Sequence, residues 1–181
     1  FYECELPKRS FLPKNPSVFV GHAYGARGAG YEDFLSPALE DFLSENSSKL
    51  HTLVLTGDIF GIPSIKKWKR LRNILGDELR TYVSPGNHDI GRPDSRDIFN
   101  LSEFGKQTYP ILSYLKQTPM IIENSIQSNW KVSIETINLA NTIQSETVII
   151  ARHNMPVEEL LPFANSLAFK AKNLDSINDL T

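Results

Sequence analysis

"HTLVLTGDIFG", His51 to Gly61, carries the reading of the fold: a run of apolar and β-branched residues, then a threonine, a glycine and one carboxylate. A short continuous apolar run ended by glycine is what a strand buried on both faces looks like, because a parallel sheet covered by helices turns neither face to water. Asp58 falls just past the run. In open α/β sheets the ligand crevice lies at the carboxyl ends of the strands, so the reading turns on what else the chain delivers to that edge.

Three further runs have the same character: "SVFVG" from Ser17, "RTYVSPG" from Arg80 and "ETVIIAR" from Glu146. All four are expected as buried parallel strands. Between the first two, "SPALEDFLSENSSKL" has Ser36 to cap, Pro37 for the first turn, and Leu39, Phe42 and Leu43 on one face, which predicts a helix. Between the second and third, Ile65, Trp68, Leu71, Ile74 and Leu75 recur at helical spacing and stop near Gly76. Strand, helix, strand, helix, strand predicts right-handed βαβ units in an α/β fold, a layered sheet with helices on its outer faces. After Gly91 the chain reads as a loop-rich connection with a short helix near Ser95 to Phe99. A further helix is expected from about Gln127 to Thr142. One domain is expected over residues 1–181, with its core in 17–156 and a C-terminal helical segment in 157–181.

The 181 residues are 40% hydrophobic and 22% charged, the balance of one domain with a real core. A formal charge of −2 gives no overall field to recruit nucleic acid or repel phosphate, so a partner has to be argued from a site. The basic run Lys66, Lys67, Lys69, Arg70, Arg72 reads as a solvated helix face, with a phosphate-rich partner as the alternative. The lone Cys4 forms no internal disulfide, which points to a reducing, cytoplasmic setting. No apolar run approaches the roughly 20 residues of a bilayer span. Phe1 stands where an initiating methionine is expected, which implies a shortened N-terminus.

Polar outliers gather at the predicted strand ends: His22 and Tyr24 after the first, Gly57 and Asp58 after the second, Gly86, Asn87, His88 and Asp89 after the third, His153 after the fourth. Histidine nitrogen, carboxylate and amide oxygen are the donors that transition metals and zinc accept. Glycine at these turns lets the backbone bend sharply enough to aim each side chain into the crevice. Arg27 and Arg92 flank the crevice as candidate phosphate binders.

With these residues in view, the chain resembles the calcineurin-like metallophosphoesterase superfamily, whose blocks are D-x-H, G-D, G-N-H-D/E, a lone His and G-H-x-H. "LVLTGDIFG" matches the second block and "VSPGNHDIG" the third, with 29 positions from Asp58 to Asn87, and "VIIARHNMP" is similar to the fourth. The resemblance implies hydrolysis of phosphate mono- or diesters, on a small molecule or a polymer, by a metal-activated water. It implies one or two manganese, iron or zinc ions. Asp58 would bridge two ions, Asn87 and His153 would bind the second, His88 would stay off the metals as a general acid for the leaving group or a donor to the phosphate, and Asp89 would orient His88. The first block is altered, with His22 at the aspartate position and Tyr24 at the histidine position; either both ligate, or they form a hydrogen-bonded pair lining a cleft that has lost one ion. No G-H-x-H follows His153. The family's extra strands are also missing before "IQSNWKVSIETI", which reads as a helix anchored by Trp130. Residues are therefore expected to be absent near Ser125 to Gln127 and beyond Thr181. The rival expectation is a metal-poor relative that binds a phosphate ligand, or a partner, without turnover.

Overall fold

The computed structural model describes residues 14–25 and 34–155. It is a mixed α/β structure with two small sheets and covering helices. Strands β1 (Ser17–Val20), β2 (Thr52–Leu55) and β3 (Arg80–Val83) form a parallel sheet in the order β1-β2-β3. Helix α1 (Pro37–Asn46) joins the first two strands and α2 (Ile65–Leu75) the second and third. The sequence placed α2 within a residue and the start of α1, but α1 ends at Asn46 and the rest of the expected stretch, Ser47–Lys49, is a 3₁₀ turn. Ser64 caps α2 by accepting from Lys67 N at 3.2 Å, and Gly76 ends it with φ at +70°. Ser36 precedes α1 without a side-chain cap, leaving Pro37 in the first turn to set its start.

β2 alternates. Leu53 and Leu55 face a core built with Leu43, Trp68, Leu71, Leu75 and Val83. Val54 faces the other way, onto Met120, Ile122 and Ala151 of a second sheet. Buried on both sides, β2 needed apolar residues at successive positions, which is why its run was continuous. Trp68 is the centre of the helical layer, with Phe60 edge-on at 4.9 Å between ring centroids and Phe99 at 5.4 Å. Each such pair adds about 0.5–1.5 kcal/mol beyond area burial.

The fourth expected strand forms, as β6 (Ile149–Ala151), but not beside the first three. It lies parallel to β5 (Thr118–Ile122), itself antiparallel to β4 (Ile111–Leu115), in a sheet ordered β4-β5-β6. The β4–β5 hairpin was not predicted. Its turn is Lys116-Gln117, with Lys116 at φ +57°, in place of the Asn-Gly or Asp-Gly pairs that announce such turns. Pro119 also argued against a strand; it sits one residue ahead of the stretch that pairs with β6, so its missing N–H removes nothing from that ladder.

Short α3 (Asn87–Ile90) and α4 (Pro93–Leu101) follow β3, the latter longer at both ends than expected because Pro93 suits the first turn. The helix expected from Gln127 begins only at Ile134, as α5 (Ile134–Thr142), where Ser133 accepts from Thr136 N at 3.1 Å. The preceding stretch turns instead. Asn129 and Trp130 take φ of +50° and +68°, and Trp130 is half-buried rather than an anchor in a helix. The C-terminal helical segment lies outside the described residues. Among the described residues no helix is long and apolar enough to cross a membrane.

Part of the basic face of α2 is occupied by its own neighbours. Arg70 pairs with Glu40 and lies over the Phe34 ring at 4.1 Å. Arg72 donates to Glu103 at 2.9 Å, and Lys67 Nζ to Ile62 O at 2.7 Å. Lys66 and Lys69 remain exposed on the same face.

Candidate metal centre

Parallel pairing brings the exits of β1, β2 and β3 to one edge, and two contacts add the second sheet to it. Ser84, just after β3, donates its hydroxyl to Glu123 O at 2.6 Å, just after β5. His153, two residues past β6, reaches Thr56 O through Nδ1 at 2.9 Å. A carbonyl only accepts, so Nδ1 carries the proton and Nε2 presents its lone pair. That lone pair points at the site: Nε2 lies 3.5 Å from Asp58 Oδ1 and 3.3 Å from Asn87 Oδ1.

On the other side of Asp58, His22 Nδ1 stands 3.7 Å from Oδ2. One donor atom each from His22, Asp58 and His153 lie within 4.8 Å of one another. His22 and Asp58 both take left-handed backbone, φ +50° and +53°, and the two loops are joined by His22 N donating to Gly57 O at 3.1 Å. A non-glycine residue held there costs about 1–2 kcal/mol, so two such residues facing each other mark a strained, assembled site.

Two glycines make the approach possible. A Cβ on Gly57, at φ +88°, would collide with the His153 ring and approach Gly86 N at 2.8 Å. A Cβ on Gly86 would collide with Asp58 Oδ1. The G-D and G-N-H-D pairings are thus a steric requirement: the glycine of each loop makes room for the ligand of another.

The expected pairing of Asp89 with His88 does not occur. Asp89 is fully buried and accepts from three backbone groups, Asp58 N at 2.8 Å, Gly86 N at 2.9 Å and Ile59 N at 3.2 Å. It staples the two loops together. Burial pushes its carboxyl up to about 7; the Asp58 charge adds to the rise and the three N–H groups oppose it. His88 is oriented by a partner no motif names, Gly61 O, at 2.8 Å from Nδ1. Its backbone N–H donates to Asp58 Oδ1 at 3.0 Å. Tyr24 is buried, its ring beside both His88 and His22, with centroids 5.5 and 5.9 Å away. Arg92 is exposed just before α4 and joins none of these contacts, and Arg27 lies outside the described residues.

Sequence reasoning also missed a buried ion pair beneath the site. Arg152 Nε lies 3.2 Å from Glu123 Oε2, with 7% and 2% of the side chains exposed. Arg152 further holds Trp130 O and Lys131 O at 2.7 and 2.9 Å. The available signal was charge at the ends of two apolar runs, Glu123 after "PMII" and Arg152 after "VIIA". A concavity of about 310 Å³ beside Trp68, Arg72, Leu101 and Phe104 holds none of His22, Tyr24, Asp58, Asn87, His88, Asp89 or His153. Neither a scan of the chain against protein-family models nor a search of curated proteins found a match.

Proposed function

We propose that this chain is a metal-dependent hydrolase of phosphate mono- or diesters with a metallophosphoesterase-like fold. The observation that carries the reading is the convergence of His22, Asp58, Asn87 and His153 from four strand exits, with donor atoms at ligand spacing and the expected glycines clearing the way. The donor set suits manganese, iron or zinc. When bound, such an ion supplies Lewis acidity and a lowered pKa for water.

The residues supply geometry and a proton. Asp58 contributes the negative charge, its Oδ1 fixed by His88 N–H. His153 is held in the tautomer that ligates, by Thr56 O. His88 has Nδ1–H committed to Gly61 O, so it is the imidazolium form, with a second proton on Nε2, that gives a proton to the leaving-group oxygen or donates to a phosphoryl oxygen. Asp89 acts on position alone, by holding the Asp58 and Gly86 backbones. A phosphate-binding module without turnover is the second reading, favoured by the exchange of an aspartate for His22, which leaves fewer negative ligands.

The test is a rate assay on mono- and bis-(nitrophenyl) phosphate with purified full-length chain, loaded in turn with manganese, iron and zinc. Turnover with at least one metal, abolished by a chelator, is expected. Tight metal uptake with no turnover on either ester, under every metal, leaves the module reading in its place.

A further inference from the structure

The spacing of the donors bears on how many ions the site takes. A single ion with bonds of about 2.1 Å in tetrahedral array sets its ligands about 3.4 Å apart. The donor separations are of that order: 3.7 Å from His22 Nδ1 to Asp58 Oδ2, 3.5 Å from His153 Nε2 to Asp58 Oδ1 and 3.3 Å from His153 Nε2 to Asn87 Oδ1. The His22 and His153 rings flank opposite oxygens of the Asp58 carboxylate, tilted with centroids 5.5 Å apart, and one donor atom from each of His22, Asp58 and His153 still falls within 4.8 Å of the others, so a small shift gathers them on one ion.

Charge argues the same way. Two dications about 3.5–4 Å apart repel four times as strongly as two unit charges, and bridging sites answer that with several carboxylates. Among the described residues Asp58 is the one carboxylate in this group, because both oxygens of Asp89 are taken by backbone N–H donors. Splitting the set between two ions would leave the ion beside His22 with that histidine, a share of Asp58 and, at most, Tyr24.

We propose that His22, Asp58, Asn87 and His153 together hold a single divalent transition-metal ion, with His22 as its fourth ligand in the position where the resembled family carries an aspartate for a separate ion. This rests on the metal-dependent reading above and narrows it. A neutral imidazole completes a two-nitrogen, two-oxygen shell of net charge +1, which still attracts a phosphate dianion and can expand to five-coordinate to admit the water the hydrolase reading needs. The left-handed backbone of His22 is what aims its ring at Asp58 instead of along β1.

The experiment uses the full chain, stripped with a chelator and reloaded with zinc or cobalt(II). One metal equivalent is expected after dialysis, with no second tight equivalent at higher metal, and cobalt should give the intense visible absorption of a four-coordinate ion. His22→Ala should weaken binding about 100-fold or more, at or above what the loss of an outer-shell partner costs, and should lose the four-coordinate spectrum. Its melting temperature without metal should stay close to the parent's, since 62% of the side chain is exposed. Should His22→Ala fail to fold, Asn87→Ala, the other exposed donor, makes the same test and is expected to show the same loss. A second tight equivalent, or a His22→Ala chain that binds metal like the parent, overturns the inference. Two equivalents with phosphate-ester turnover would leave the hydrolase standing and remove the single ion. One equivalent without turnover would do the reverse.

Discussion

The two sides of Asp58 are built to different rules. On one side His153 is 7% exposed, its ring fixed by Thr56 O and packed over two glycines that admit no larger residue. On the other, His22 is 62% exposed and held mainly by its backbone, through a left-handed turn and a bond to Gly57 O. The first side is preorganised by packing, so its ligand geometry is paid for by the fold. The second is preorganised by strain, so it costs the fold something and gains only when a ligand arrives. Mutations on the two sides should therefore separate stability from binding in opposite ways.

The largest effect belongs to the residue both sides share. Asp58→Asn removes the one negative charge of the group while keeping its shape, and should cut metal-dependent turnover by about 10³–10⁴-fold, or about 4–5.5 kcal/mol of barrier. Metal content and rate are read on the same preparation; retention of both would mean the carboxylate is not the centre of the site.

Next comes the packed side. Gly57→Ala places a methyl against the His153 ring in a backbone region that costs an L-residue about 1–2 kcal/mol, with overpacking on top. A loss of about 2–4 kcal/mol in folding stability is expected by chemical denaturation, with metal binding lost alongside. A variant of parental stability would show that this side has more slack than its contacts indicate.

How much of this was legible in the sequence follows the same division. Local patterns were readable: the β1–β3 runs, both intervening helices and the strand-end polar residues all follow from periodicity and turn chemistry. Long-range partners were not. Asp89 is adjacent in sequence to His88 and was assigned to it, yet its carboxylate reaches back to Asp58 and Ile59, because a fully buried carboxylate needs every donor it can find and two loop backbones offered three. Gly61 O and Thr56 O, which orient the two histidines, are backbone atoms with no residue signature at all. The second sheet escaped because Lys116-Gln117 is a poor turn pair and Pro119 a poor strand residue; their placement is settled by what packs across from Val54.

Asp89→Asn tests that staple. The amide retains one acceptor oxygen and presents an NH₂ to a backbone N–H, so at least one of three buried donors loses its partner, at a cost of about 1–3 kcal/mol. His88 should keep its orientation through Gly61 O, so the variant should lose stability, read from its melting temperature, without a change in the pH dependence of turnover. A shifted pH profile would return Asp89 to the proton-transfer role that its sequence position suggested.

The smallest effect is the most discriminating, because its sign is opposite. At His22 a glycine relieves the left-handed strain of about 1–2 kcal/mol, against about 0.5–1 kcal/mol for the added freedom of the unfolded chain. Little packing is lost from a ring this exposed. His22→Gly should therefore raise metal-free stability by about 0.5 kcal/mol, a rise of about 1–2 °C in melting temperature for a chain of this size, while metal binding falls as in His22→Ala. The same change on the packed side, His153→Gly, leaves Thr56 O without its donor and opens a hole over Gly57, and must destabilise. If His22→Gly also destabilises the metal-free chain, the His22 ring is part of the fold rather than a ligand held in waiting, and the two sides of Asp58 are not built differently after all.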